Sequence, residues 1–357
     1  MTSPSPVGTR PERGGRASGT LVITALIVAT VLIAVISAAA GQVHVSPIEV
    51  LGSLARHLHL PWGSLPSTPL GEYTLWNVRF PRIVMGLIVG AALGAGGCLM
   101  QGVLANPLAE PGVVGVSSGA AVGAALVIVV GGVGVNGWAL AGVGFVFALG
   151  TAAAVYILSL RDGSSSAIML VLTGIAVNAF ALGIISYLTF IASTTAREQI
   201  VFWQLGSLEG ITWGPVWVAL PLVTAAVAAS FLLVHKLDLL GLGEITAASL
   251  GVNVEVVRRQ VIVLVAILTA AAVAFTGIVM FVGLIVPHLM RLVVGPRHAI
   301  LLPTSVIGGA FVLAAADLAA RTVMPPASLP LGVFTSLVGG PVFFVLLRRS
   351  RHAGAGW

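Results

Sequence analysis

The chain has 357 residues, 58% of them hydrophobic and 8% charged, where ordinary soluble domains carry about 25% charged residues. No water-soluble fold hides that much apolar surface. The net charge of +6 does not mark a nucleic-acid binder either, because the basic residues stand between and beside apolar runs rather than on one soluble face.

Residues 1–20 form a polar N-terminal tail with Arg10, Arg13 and Arg16 among Ser, Pro and Gly. The apolar run from Leu21 to Ala40 ends in Ala38-Ala39-Ala40, small enough for signal-peptide cleavage. Its length exceeds the usual h-region of about 7–15 residues, so it reads as a retained first helix. A loop with His44, Arg56, His57 and His59 then leads to Arg79 and Arg82. Further spans are predicted at 83–105, 112–131, 138–160, 168–192, 215–235, 260–283, 284–296, 299–323 and 329–347. A bilayer core about 30 Å thick takes roughly 20 helical residues, so 284–296 is too short to cross alone and its boundary near Gly283 is the weakest. Pro111 to Leu160, Gly163 to Ala196, Gly210 to Val234 and Thr322 to Leu347 contain no Asp, Glu, Lys or Arg. Hydrocarbon demands this, since each central charge costs on the order of 3 kcal/mol. Lipid offers no partner to free backbone groups, so helices are expected, and the alternating pattern of a membrane β-barrel is not seen. The expected fold is therefore an all-α polytopic membrane protein of ten spans: a transmembrane domain over 21–347, with a cytoplasmic loop at 236–259 and a C-terminal tail at 348–357.

With the N-terminus inside, eleven basic residues fall in cytoplasmic segments and six, Arg56, Arg79, Arg82, Arg197, Arg291 and Arg321, in outer ones. This favours both termini in the cytoplasm of a multi-pass cell (inner) membrane protein. Shifting the chain against itself by 180 positions pairs Arg79 with Arg259, Gly97 with Gly277, Met100 with Met280, Pro107 with Pro287 and Gly115 with Gly295. Five spans separate the copies, which predicts an inverted repeat, with Pro107 near the cytoplasmic face and Pro287 near the outer one.

Gly86, Gly90 and Gly94 fall four apart, as do Gly115, Gly119 and Gly123, which reads as close helix packing. Pro107 and Pro111 end a span, and Glu110 between them wants water. Ser164-Ser165-Ser166 reads as a polar turn capping the next helix. The segment from His235 to Gln260 mixes Lys236, Asp238, Glu244, Glu255, Arg258 and Arg259 with apolar residues, as a short helix pair docked in a partner's groove would. Asp317 and Arg321, four apart, form a structural ion pair near the outer end of a span rather than a proton relay. Arg79, Arg82 and Arg321 near the outer surface are placed where ion pairs can steer an acidic soluble partner. The only lysine is Lys236, so no GxxxxGK[ST] phosphate loop exists and any ATP hydrolysis lies in another chain. Cys98 is the single cysteine, no HxxxH or HExxH pair occurs, and neither a metal site nor a cofactor is expected.

RFPR at 79–82, GAALGAGGCLMQ at 90–101, NPLAEPGVVGVSSGA at 106–120, GIVMFVGLIVPHLMR at 277–291, GGAFVLAAADLAAR at 308–321 and LPLGVFTSLVGGPVFFVLL at 329–347 resemble one family. It comprises the permeases of binding-protein-dependent ABC importers for iron siderophores, haem and cobalamin, and the resemblance covers roughly 79–347. It implies a homodimer of ten-helix chains with a path along the dimer axis, two copies of a separate ABC ATPase, and a periplasmic or lipid-anchored solute-binding protein as the acidic partner of Arg79, Arg82 and Arg321. It further implies a cytoplasmic gate at Asn106, Leu108, Ser165 and Ser166, and an ATPase coupling loop at Glu244, Ala247, Ala248, Leu250 and Gly251. Trp203, Gln204, Gly206 and Ser207 match its outer segment and are expected to shape the entrance. An ion-coupled secondary transporter is the alternative. A membrane-embedded enzyme lacks any acid, base and nucleophile cluster.

Overall fold

The computed structural model describes residues 18–61, 63–132, 136–324 and 328–352. Arg10, Arg13, Arg16 and nearly all of the predicted tail 1–20 lie outside them, as does the chain beyond His352. Fifteen α-helices follow one another: α1 Gly19–Ala39, α2 Pro47–His57, α3 Pro69–Thr74, α4 Phe80–Val103, α5 Val116–Gly131, α6 Gly137–Ser159, α7 Ala167–Ile191, α8 Thr194–Leu205, α9 Trp213–Ser230, α10 Val234–Leu240, α11 Glu244–Ser249, α12 Val254–Thr276, α13 Val282–Val294, α14 His298–Thr322 and α15 Leu331–His352. Among the described residues, seven helices are long and apolar enough to cross a membrane, and α5, α13 and α15 are shorter apolar helices. These ten correspond to the ten predicted spans. The remaining helices are short, and the last helix runs five residues past the predicted end at 347.

Helix α4 is the axis of the bundle, buried on almost every side. Its glycines explain how. A methyl group on Gly90 or Gly94 would collide with the backbone carbonyls of Gly309 or Ser305 on α14, and one on Gly97 would strike the carbonyl of Gly283 at the start of α13. With no hydrophobic effect to drive association in lipid, such backbone approach is what binds helices together. On α5, Gly119 and Gly123 meet Phe147 and Thr151 or Val143 of α6 in the same way. Both glycine rows are therefore packing seams.

Helices α4 and α14 are antiparallel. Arg82, in the first turn of α4, reaches Asp317 near the end of α14, while Gly102 at the other end of α4 lies on the His298 ring. The bundle thus has an Asp317 end and an Asn106 end. Gly19 packs on Ile300, and α15 leaves the Asp317 end where the Leu331 N–H donates to the Gly206 carbonyl, so both described termini lie at the Asn106 end.

The chain breaks between α12 and α13. Gly277 (φ 68°) and Phe281 (φ 67°) both adopt left-handed backbone, which for a phenylalanine is rare. Helix α12 ends at Thr276 rather than 283, and α13 begins at mid-depth, where Gly283 meets the Leu93 carbonyl and Pro111. Thirteen residues of α13 then reach only the Asn106 end, about 20 Å at 1.5 Å per residue. This corrects two expectations. Arg291, counted with the outer arginines, lines the same cavity as Asn106 and His298, and Pro287 sits in the interior rather than at the opposite face, because α13 is a half-span.

Candidate functional site

The residues expected to form the gate and the coupling loop gather at the Asn106 end, where the sequence places its polar turns. Between α6 and α7, Asp162 (φ 52°) and Gly163 (φ 79°) close a tight turn bridged by Arg161 and Ser164. The Ser166 hydroxyl accepts from the Met169 N–H at 3.2 Å and caps α7, as its position predicted. Ser165 is buried and belongs to a different structure.

That structure is a polar knot around Arg258, whose side chain is 2% exposed. One terminal nitrogen, Nη1, donates to the Ser165 carbonyl at 2.5 Å and to Glu255 Oε2 at 3.3 Å; the other, Nη2, donates to Glu244 Oε1 at 2.5 Å. Glu255 in turn accepts from the Tyr156 hydroxyl at 2.7 Å, the Ser165 N–H at 2.9 Å and the Ser165 hydroxyl. One guanidinium and one carboxylate therefore tie together the end of α6, the α6–α7 turn, the start of α12 and, through Glu244, helix α11. Charge-assisted bonds of this kind are about twice as strong as neutral ones. Sequence reading singled out Ser165 and Glu244 but not Arg258, Glu255 or Tyr156 as their partners. A basic pair beside a span looks like an interfacial anchor.

Helix α11 is otherwise lightly held. Gly243 (φ 104°) and Gly251 (φ 85°) flank it in left-handed backbone, the turn the sequence assigned to Gly251. Ala247 is fully buried against the bundle and anchors the helix there. Ala248 and Gly251 are exposed, and so are Leu242, Ile245 and Leu250, with Ile245 at 87%. An isolated six-residue helix presenting aliphatic side chains outward is an incomplete surface.

Asn106 and Leu108 lie elsewhere on this end. The Asn106 side chain accepts from the Leu108 N–H at 2.9 Å, an Asx turn, and Ala105 (φ 46°) precedes it. Asn106 opens on a cavity of about 420 Å³ lined also by Gln101, Asp238, Arg291, Arg297 and His298. Asp238 Oδ1 accepts from the His298 N–H at 2.8 Å and lies 2.7 Å from its Nδ1. Burial pushes the Glu110 carboxyl in this loop above the usual carboxylate range. Among the described residues no hydrogen bond joins Asn106 or Leu108 to Ser165 or Ser166. The connection runs through α7: the Asn178 side chain donates to the Gly112 carbonyl at 3.2 Å and accepts from the Ser118 hydroxyl at 2.6 Å, and Gly174 abuts the Val113 carbonyl. Nothing in the sequence pattern marked Asn178.

At the Asp317 end the predicted ion pair of Asp317 with Arg321 is present, but it is not the carboxylate's principal one. Arg82 grips Asp317 with two nitrogens at 2.8–3.1 Å, while Arg321 stands 3.7 Å away. The principal partner of Asp317 is thus 235 residues distant rather than four. Arg79 is buried and donates to the carbonyls of Ala38, Ala39 and Val43; Arg321 donates to those of Ser37 and Ala40. Both guanidinium groups satisfy carbonyls at the C-terminus of α1 and in the link just after it. Arg79 has no free face for an acidic docking partner, which corrects that assignment. Trp203, Gly206 and Ser207 form a joint: Ser207 N–H donates to the Thr276 carbonyl, and Trp203 and Gly206 back onto Gly277 and Ile278. Among the described residues no three His, Cys, Asp or Glu side chains lie together as metal ligands would.

Residues 26–349 match the model of the FecCD transport family. The chain is 37% identical over 316 residues to the hemin transport system permease protein HmuU of Yersinia pestis, covering 86% of this chain and 92% of that one. It is 36% identical over 355 residues to the cobalamin import system permease protein BtuC of Halobacterium salinarum, covering 93% and 95%. A solved structure of an inward-facing conformation of a metal-chelate type ABC transporter superposes with a TM-score of 0.81 at 32% identity, over 92% of this chain and 99% of that one. With its ten apolar helices and its sequence matched nearly end to end, this multi-pass membrane protein belongs to the FecCD transport family.

Proposed function

We propose that this chain is the transmembrane permease subunit of a binding-protein-dependent ABC importer, which moves an iron-siderophore, haem or cobalamin chelate into the cytoplasm on ATP hydrolysed by a separate subunit. The working assembly is two copies of this chain, two ATPase subunits and a solute-binding protein outside. The Asn106 end faces the cytoplasm with both termini, and the Asp317 end faces out. The antiparallel α4 and α12, which the 180-residue shift pairs, are consistent with an inverted repeat. The observation that carries the reading is the tie from exposed α11 through buried Arg258 to Ser165. A short helix with aliphatic side chains turned outward suits a partner's groove, and its one charged tether leads into the turn that opens α7. Relatives of similar identity are named for hemin and for cobalamin, which supports a bulky chelate as solute.

The test is reconstitution with the partner ATPase and binding protein in vesicles, offering ferric siderophore, hemin and cyanocobalamin in turn. Uptake of one of them that requires ATP and survives a protonophore is expected. Uptake that proceeds without ATP and collapses with the ion gradient would establish a secondary transporter instead.

A further inference from the structure

Helix α2 is turned inside out for a helix in water. Its Ser46 cap accepts from the Glu49 N–H while the Glu49 carboxylate accepts from the Ser46 and Ser67 N–H groups. Its Ser53 hydroxyl donates to Glu72 and accepts from Trp76 Nε1. The polar groups are thus taken up against the protein, beside the buried Val50 and Ala55. Facing outward instead are Ile48, Leu51, Leu54 and Leu58, at helical spacings of three, three and four, exposed by 71%, 42%, 43% and 64%. Leu60, Leu65, Leu70 and Tyr73 extend the exposed patch along the following segment. Soluble surfaces rarely carry so much contiguous apolar area without a partner.

The depth of this patch identifies the partner. Val50 packs with Ala38 at the end of α1 and with Ile83 in the first turn of α4, so α2 lies across the ends of two spans rather than above them. Arg79 holds Ala38, Ala39 and Val43, which fixes the short link between α1 and α2 to the bundle. The neighbouring face of α1 is itself an exposed apolar surface, with Val28, Val31, Leu32 and Ile36. Tryptophans mark the same level: Trp76 stacks on His57 at 3.7 Å, and Trp213 lies 6.5 Å from Trp76 and 5.7 Å from the exposed Trp217. Such aromatic groups gather at headgroup depth. We infer that α2 is an interfacial helix whose leucine row is immersed in the headgroup–acyl boundary at the Asp317 end. This follows from the membrane fold alone and does not depend on the transported solute.

Single cysteines at Leu51, Leu54 and Leu58, and at Arg56 on the opposite side of the helix, each with Cys98→Ala, are labelled with a nitroxide. The full chain is then reconstituted in phosphatidylethanolamine–phosphatidylglycerol vesicles. Collision with oxygen relative to a water-soluble nickel chelate should be at least fivefold higher at the three leucine positions than at Arg56. Equal ratios at all four positions would show that the row faces water, and dipolar broadening between labels would show a second copy covering it. Immobilisation only after a binding protein is added would assign the patch to that protein. Each of these three results overturns the proposal.

Discussion

Removing the Arg258 guanidinium tests how α11 is connected to the rest of the molecule. In Arg258→Met the aliphatic stem is kept while the donors to Ser165, Glu255 and Glu244 are lost. Breaking a buried ion pair from one side typically costs about 3–5 kcal/mol, because the remaining charge is left without its partner. Here Glu255 keeps Tyr156 and the Ser165 N–H, so the lower figure, about 3 kcal/mol, is expected for thermal stability in detergent. Glu244→Ala removes only a half-exposed carboxylate, and screening limits that loss to about 1 kcal/mol or less. An energy of 1 kcal/mol corresponds to roughly a fivefold change in an equilibrium. Solute imported per ATP hydrolysed should therefore fall by up to about fivefold in Glu244→Ala, with hydrolysis itself retained. Since Arg258 is the partner through which Glu244 acts, the double variant should be no worse than Arg258→Met alone, to within about 0.5 kcal/mol. Strictly additive losses, or a normal import-to-hydrolysis ratio in both single variants, would refute the connection.

Gly251→Val places a β-branched residue at φ 85° in open space, so the cost is backbone strain of about 1–2 kcal/mol without a clash. Insertion should be normal while transport is lost and the ATPase dissociates more readily; normal transport would remove this loop from coupling. Asp317→Asn leaves the part-buried Arg82 and Arg321 without their counter-charge, and a loss of about 3 kcal/mol in thermal stability is expected, against under 1 kcal/mol for the exposed Arg56→Gln. For Glu110, burial raises the carboxyl's pKa in the folded state above its unfolded value. Its favourable contribution is therefore complete below the unfolded pKa and is lost as pH rises through the raised one. Glu110→Gln should be relatively more stable than the parent at neutral pH and equal to it near pH 4, read from melting midpoints across that range.

The spans, the glycine seams, the Ser166 cap and the Gly251 turn were legible because each is written in local spacing: apolar length, small residues four apart, a hydroxyl before a helix. Asp317 shows the limit of that reading. Arg321 at i+4 is visible in sequence, whereas Arg82, the stronger partner, is brought there only by the antiparallel seam of α4 and α14. Arg79 and Arg321 looked like surface charges because the carbonyls they cap belong to α1 and the link after it, far away in the chain. Arg258 looked like an interfacial anchor for the same reason, its partners being 93 residues before it and 14 before it. The half-span α13 was suspected from its length. What was misplaced is the end of α12, which stops at Thr276 because Gly277 and Phe281 both take left-handed backbone, and one more glycine in a small-residue-rich span reads as packing rather than as a break.

The meshing of α4 with α14 has a mechanical consequence. Gly90 and Gly309 each press on the other's carbonyl, and Gly94 sits on Ser305, so the two helices engage like teeth and cannot slide or roll without forcing backbone through backbone. Helix α1 is riveted to the same pair by Arg79 and Arg321. Helices α1, α4 and α14 therefore make one stiff unit, joined by backbone contact and guanidinium–carbonyl bonds rather than by side-chain packing alone.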